Sequence, residues 1–124
     1  NLTKLQLFRN EVIAIPESIA QLSKLECLDL RHNKVAGITP AISNIKSLRR
    51  LLLSHNMLTY LPGQIADMEK TLEVLSIYGN PLTTLPPDVI PRLGDVHPLV
   101  LAPLMSYLRN INVGGKEEDN RVKV

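Results

Sequence analysis

An asparagine recurs at positions 10, 33, 56 and 80, so the same residue returns every 23 or 24 residues along most of the chain. Around each asparagine, aliphatic residues occupy the same relative positions: eight, five and three residues before it, and two after it. In the first copy these are Leu2, Leu5, Leu7 and Val12. Such a pattern predicts stacked units, because one unit alone cannot bury its apolar residues and must cover them with its neighbours.

The residues before each asparagine have the alternation of a half-buried strand. Leu5 and Leu7 are expected to point into the core, whereas Lys4, Gln6 and Phe8 point away from it. Stacking equivalent strands makes a parallel sheet. The asparagine then turns the chain, because its amide can donate to and accept from backbone groups that would otherwise be buried without partners.

A proline follows the asparagine at a nearly constant distance on the return path of each copy. The distance is six residues for Pro16, Pro62 and Pro86 but seven for Pro40, so we expect a different turn in the second copy. The segments that follow three of these prolines are expected to be single helical turns: Glu17–Leu22, Ala41–Ile45 and Gly63–Met68.

The repeated pattern L-x-x-L-x-L-x-x-N-x-L resembles that of leucine-rich-repeat proteins over residues 1–90, in four copies at about 1–24, 25–47, 48–71 and 72–90. The Leu-Pro-x-x-Ile endings are similar to the intracellular Ras-group, Scribble-type and Roco-type subclass. The resemblance implies an α/β fold: a right-handed solenoid with a curved parallel sheet on its concave face and short helical turns on its convex face.

The two ends of the array differ. Apolar residues recur at helical spacing after the fourth copy, at Leu101, Leu104, Met105, Leu108 and Ile111. With Pro103 in the first turn and Gly114-Gly115 as the stop, residues 91–113 resemble the C-terminal cap of intracellular members, and residues 114–124 are expected to be a polar tail or linker. No equivalent cap precedes Leu2, so we expect further repeats before Asn1 or a partner over that end.

Composition narrows the classes of function. The net charge of +2 does not favour nucleic acid, and no apolar stretch approaches the roughly 20 residues that span a bilayer. We also find no secretory leader. The single cysteine, Cys27, excludes an intrachain disulfide and favours a reducing compartment, so a cytoplasmic location is expected.

The concave face is the predicted site, because solenoids usually bind partners there. Arginine and aromatic residues, which commonly anchor interfaces, occupy outward strand positions. The alternative is that any one of them is a solvated consensus residue. The predicted partner-binding residues are Lys4, Phe8, Arg9, Asp29, Arg31, His32, Arg50, Leu52, His55 and Tyr78, and the predicted structural ladder is Asn10, Asn33, Asn56 and Asn80. Phe8, Leu52 and Tyr78 are expected to be exposed apolar anchors.

Metal binding and catalysis are not predicted. His32 and His55 fall in one column but have no third ligand nearby. The repeat places Cys27 near these histidines, which raises a Cys–His nucleophile as an alternative, but no oxyanion donor is evident and no orienting carboxylate beyond Asp29, so catalysis is not expected. We therefore predict no cofactor and a non-enzymatic scaffold that binds another protein with an acidic patch. The alternatives are a regulatory segment of a larger signalling protein linked to small GTPases, as the resemblance implies, and a structural subunit of a large assembly.

Overall fold

The structure is a computed structural model that describes residues 2–86 and 102–111. Its elements are short and follow the repeat. The strands are β1 (Lys4–Gln6), β2 (Ala14–Ile15), β3 (Cys27–Asp29), β4 (Gly37–Ile38), β5 (Arg50–Leu52) and β6 (Val74–Ser76). The 3-10 helices are η1 (Glu17–Gln21), η2 (Pro40–Asn44) and η3 (Gly63–Met68), and one α-helix, α1, spans 102–111.

Four strands form one parallel sheet in the order β1-β3-β5-β6. The register advances by one repeat from strand to strand, so that Leu5 pairs with Leu28, Leu28 with Leu51, and Leu51 with Leu75. Each repeat therefore contributes one strand and returns behind the sheet before the next begins. The predicted parallel sheet and the stacked, solenoid-like arrangement are confirmed.

The core is an aliphatic layer between the sheet and the return segments. Leu28, Leu51 and Leu75 are at most 1% exposed. Leu5 and Leu7 of the first coil pack against the same cluster but are only partly buried. Branched aliphatic side chains of similar size at every level allow one coil to stack on the next without large voids.

The return segments contain the expected helical turns. Pro16 and Pro62 are the residues that precede η1 and η3, in extended conformation. Pro40 instead is the first residue of η2, which Thr39 caps by accepting a hydrogen bond from the N–H of Ala41 at 3.2 Å. The predicted difference in the second copy is therefore confirmed, because proline one residue later occupies the first helical position, where its missing N–H costs nothing.

A second, two-stranded parallel sheet pairs β2 with β4 and was not anticipated. It lies just after the asparagines, at the start of the return segments. Two residues per strand are too few to produce a recognisable alternation, so the pattern carried no sign of it.

Helix α1 packs against the core through Leu104, Met105 and Leu108, each 0% exposed. Arg109 of this helix pairs with Glu69, which follows η3. Ile111, the last apolar residue of the predicted helical spacing, is exposed. Leu101, Gly114-Gly115 and the predicted tail lie outside the described residues. Within 2–86 and 102–111, no helix is both long and apolar enough to cross a membrane.

Candidate functional site

The asparagines tie each coil to the coil before it. The Nδ2 of Asn56 donates to the carbonyls of Leu30 and Leu53, both at 2.9 Å, and its Oδ1 accepts from the N–H of Val35 at 3.0 Å. Asn33 and Asn80 make the equivalent bonds. Asn10 is exposed and donates only to the carbonyl of Phe8, at 3.3 Å, among the described residues.

The face of the four-stranded sheet opposite the core, called here the outer face, carries the predicted partner-binding residues in columns. Lys4, Cys27, Arg50 and Val74 are aligned at the start of the strands. Gln6, Asp29, Leu52 and Ser76 form the next column. Stacked strands lie about 4.8 Å apart, so side chains within a column are in contact range.

Two of the three predicted apolar anchors are exposed and the third is buried. Phe8 and Tyr78 are 42% and 45% exposed, as expected, but Leu52 is only 1% exposed. The prediction that Leu52 is an exposed anchor is therefore wrong. Leu52 lies on an inner strand between Asp29 and Ser76, whereas Phe8 and Tyr78 follow the two edge strands of the sheet.

Asp29 holds the guanidinium of Arg31 in a two-pronged ion pair. Nε of Arg31 donates to Oδ1 at 2.9 Å, Nη2 donates to Oδ2 at 2.8 Å, and the backbone N–H of Arg31 also donates to Oδ1. Burial alone would raise the pKa of Asp29, but these hydrogen bonds and the nearby positive charge outweigh it and lower the pKa. The carboxylate is therefore ionised and engaged with Arg31.

Four rings form a continuous line at the end of the strands, which we call the ring column: Phe8, His32, His55 and Tyr78. The imidazoles of His32 and His55 are stacked, with centroids 4.5 Å apart and planes 13° apart. Phe8 meets His32 edge to face at 5.2 Å, and Tyr78 meets His55 edge to face at 5.8 Å. Arg9 and Arg31 lie over the Phe8 ring, at 5.2 and 5.5 Å. The ring column is thus an exposed aromatic line with cations at one end.

The backbone of the turn determines where these rings lie. Arg9, His32 and His55 each precede a ladder asparagine and have φ of 57 to 59°, the left-handed region. Gly79 occupies the same place in the fourth coil, with φ of 81°. A Cβ on Gly79 would lie 2.6 Å from Nδ1 of His55, so the imidazole occupies space that any other residue would fill.

Gly79 was missed as a site residue. The sequence signal for it was the position before each ladder asparagine, which is arginine or histidine in three coils and glycine in the fourth. Only the structure shows that the ring of His55 uses the space that this glycine leaves.

The imidazole of His32 is surrounded by positive groups. Partial loss of solvent, followed by the charges of His55, Arg9 and Arg31, lowers the pKa of His32, and Asp29 offsets this only in part. His32 is therefore more often neutral near pH 7 than a solvated histidine.

The idea of a Cys27–histidine pair is wrong on geometry. Cys27 is buried and aligned with Lys4 and Arg50 at the start of the strands, whereas His32 lies beyond their end. Five residues of extended chain span about 16 Å, far beyond hydrogen-bond reach. Among the residues that the structure describes, no group of three His, Cys, Asp or Glu side chains could hold a metal ion.

Comparison with known proteins agrees with the fold. Family models described as leucine rich repeat match residues 1–58 and 71–93. A leucine-rich-repeat protein of Leptospira interrogans has a similar structure, with a TM-score of 0.61 and 38% identity over 64% of this chain. This chain covers 20% of that protein, or about a fifth of its length. No curated protein matches the sequence significantly.

The chain is a leucine-rich-repeat protein. Domains of this family generally mediate protein–protein interaction and are generally not enzymes.

Proposed function

We propose that this chain is a non-catalytic interaction module that binds a partner protein through the outer face of its sheet, which is the concave face of a right-handed solenoid. The observation that carries the proposal is the ring column. Phe8 and Tyr78 leave large aromatic surfaces exposed at the two edges of the sheet, although the core does not need them there. Exposed aromatic residues beside arginine are the usual anchors of protein interfaces.

The charges of the outer face favour an acidic partner. The exposed cations on or next to its strands outnumber the exposed carboxylates there: the cations are Lys4, Arg9, Arg49 and Arg50, and the carboxylates are Glu26 and Glu73. The carboxylate of Asp29, the acidic residue of the same columns, is buried against Arg31 and presents little negative charge. A complementary acidic surface would be steered toward this face and oriented on it.

The proposal is tested by capture from cell lysate with a variant that changes only exposed residues at the end of the strands. This variant combines Phe8→Ala, Arg9→Glu and Tyr78→Ala. Leu52 is left unchanged, because a charge at a buried position would disturb folding rather than binding. The matched control makes comparable changes, two large apolar or aromatic side chains to alanine and one cation to glutamate, at exposed residues outside the ring column: Ile13→Ala, Lys46→Glu and Tyr60→Ala.

We expect one protein to be retained by the parent and the control variant and lost by the ring-column variant. If both variants retain it, or if only the control loses it, binding occurs elsewhere and the proposal is wrong. Far-UV circular dichroism of both variants shows whether each is folded.

The identity of the retained protein tests the finer proposals. The family resemblance makes a small GTPase the first candidate. A cytoplasmic location is proposed on the unpaired thiol of Cys27, which is buried. Imaging of the full-length protein in cells tests the location.

A further inference from the structure

We propose that the stacked imidazoles of His32 and His55 bind a carboxylate of the partner and that His32 takes up a proton as they do so, which makes binding tighter as the pH falls below 7. This inference rests on the proposed function, because it concerns the same face. It goes beyond it by naming the chemical group that is recognised and the condition that regulates recognition.

The ring column leaves both imidazoles accessible to a partner, since His32 and His55 are exposed. The two rings cover one face of each other at 4.5 Å, so a partner reaches the remaining parts of each ring. Phe8 and Tyr78 contact the pair at nearly right angles, and the backbone of Gly79 lies close to His55. An imidazole edge carries the two ring nitrogens, and in the protonated state both nitrogens are hydrogen-bond donors. These edges therefore suit an acceptor such as a carboxylate.

The charged groups around the pair select the same ligand. Within the described residues, Arg9 follows β1, Arg31 and Asp29 belong to the second coil, and Tyr78 is the titratable group that follows β6. Two of these are cations. The carboxylate of Asp29 is already bound by Arg31 through two oxygens. A further cation is therefore disfavoured beside His32, whereas an added anion is favoured.

Proton uptake follows from the excess of positive charge around His32. In the free protein, partial loss of solvent and then the charges of His55, Arg9 and Arg31 lower the pKa of His32. A carboxylate that approaches the ring edges adds the negative charge that is missing and favours the protonated imidazole. Binding and protonation are thus coupled, and the coupling acts in both directions: acid strengthens binding, and binding raises the fraction protonated.

Other ligand classes fit the site less well. A nucleobase needs an open ring face for stacking, and His32 and His55 already cover one face of each other. A cationic segment would meet Arg9 and Arg31. An acidic segment of a protein is the partner that satisfies both the geometry and the charge.

The test uses a defined probe: a peptide of eight glutamates with blocked ends, with a peptide of eight glutamines as its control. The imidazole resonances of His32 and His55 are followed by NMR while peptide is added at pH 7.5, 6.5 and 5.5 in low salt. Glutamate remains mostly ionised over this range, because its ordinary pKa is about 4.3. We expect the glutamate peptide to shift both imidazoles, with affinity at least about fivefold higher at pH 5.5 than at pH 7.5.

The variant His32→Asn, His55→Asn separates this mechanism from general charge attraction. Asparagine is among the few residues that accept the left-handed backbone of these positions, so the turns are retained. We expect this variant to bind the glutamate peptide with no increase toward pH 5.5. A control, Lys70→Gln, removes one exposed positive charge away from the ring column and should keep the full increase.

Three results would overturn the inference: no shift of either imidazole at millimolar peptide, equal binding of the glutamine peptide, or the same pH dependence in the double histidine variant. The proposed function fails separately. If the ring-column variant loses the captured protein at pH 7.5 while the histidine variant has unchanged pH dependence, the interaction face stands and proton uptake does not. If the glutamate peptide binds as expected but the ring-column variant still captures the protein, proton uptake stands and the proposed interaction face does not.

Discussion

Replacing Asn56 by alanine tests whether the asparagine ladder stabilises the stacked coils. Asn56 is 5% exposed and is hydrogen-bonded to four buried backbone groups: the N–H of Val35 and the carbonyls of Leu30, Leu53 and Ser54. The substitution does not leave all four without a partner, however. The carbonyl of Leu30 also accepts from Asn33, that of Leu53 from Asn80, and that of Ser54 from the N–H of His32. Each carbonyl therefore keeps one hydrogen bond after the change.

The largest part of the cost comes from the N–H of Val35, because the substitution removes its acceptor, the Oδ1 of Asn56. A buried donor without a partner costs about 1–3 kcal/mol, and the three carbonyls, each of which keeps another hydrogen bond, add about 0.5 kcal/mol apiece. We therefore expect Asn56→Ala to lower the free energy of unfolding by about 3 kcal/mol. For an array of this size the melting temperature should fall by roughly 10–20 °C.

Urea unfolding followed by far-UV circular dichroism measures the loss, since the chain has no tryptophan. The matched control is Asn10→Ala, which removes the same side chain from an exposed position with one long hydrogen bond. Its effect should stay within about 0.5 kcal/mol. Equal effects of the two substitutions, or a loss below about 1 kcal/mol for Asn56→Ala, would refute the reasoning.

Two further predictions concern the outer face. Gly79→Ala should destabilise the protein by about 1–3 kcal/mol, because an L-residue is strained at φ of 81° and its Cβ meets an imidazole at 2.6 Å. Gly37→Ala, where the nearest atom outside the backbone is 3.8 Å away, should change stability by less than about 1 kcal/mol, and similar melting temperatures for the two would contradict this account. Asp29→Asn should lower the melting temperature at pH 7, and the gap from the parent should narrow as the pH falls below 3.8, because a carboxylate with a lowered pKa stabilises the fold only while it is ionised. A gap that is constant from pH 7 to pH 3 would mean that ionisation of this group has no part in stability.

The period of the sequence was enough to predict the sheet and its register. Aliphatic residues at fixed distances from each asparagine determine which side chains face the core, so Leu28, Leu51 and Leu75 align as expected. Helical spacing likewise predicted the helix at 102–111, which begins one residue before Pro103. These features depend on local patterns that every coil repeats.

The candidate site was less predictable, because it depends on differences between coils. Whether an outward residue is exposed depends on its place in the sheet, so the same reasoning was right for Phe8 and wrong for Leu52. The stacking of His32 on His55 depends on ring orientation, and the space for the second ring depends on a glycine one coil away. Alignment of the repeats identifies the column but not the conformations within it.

The ladder also gives the array a direction. Each bonded asparagine reaches back to the preceding coil, and none of the described ladder residues reaches forward. When a coil detaches from the N-terminal side, the ladder groups left without partners are side-chain amides, such as that of Asn33, which can turn to water. When a coil detaches from the other side, they include main-chain groups that remain inside the coil, such as the N–H of Leu58. The main-chain bonds between neighbouring strands break in both cases, and the ladder adds a difference between the two directions. We therefore expect coils to fray more readily from the N-terminal side of the array.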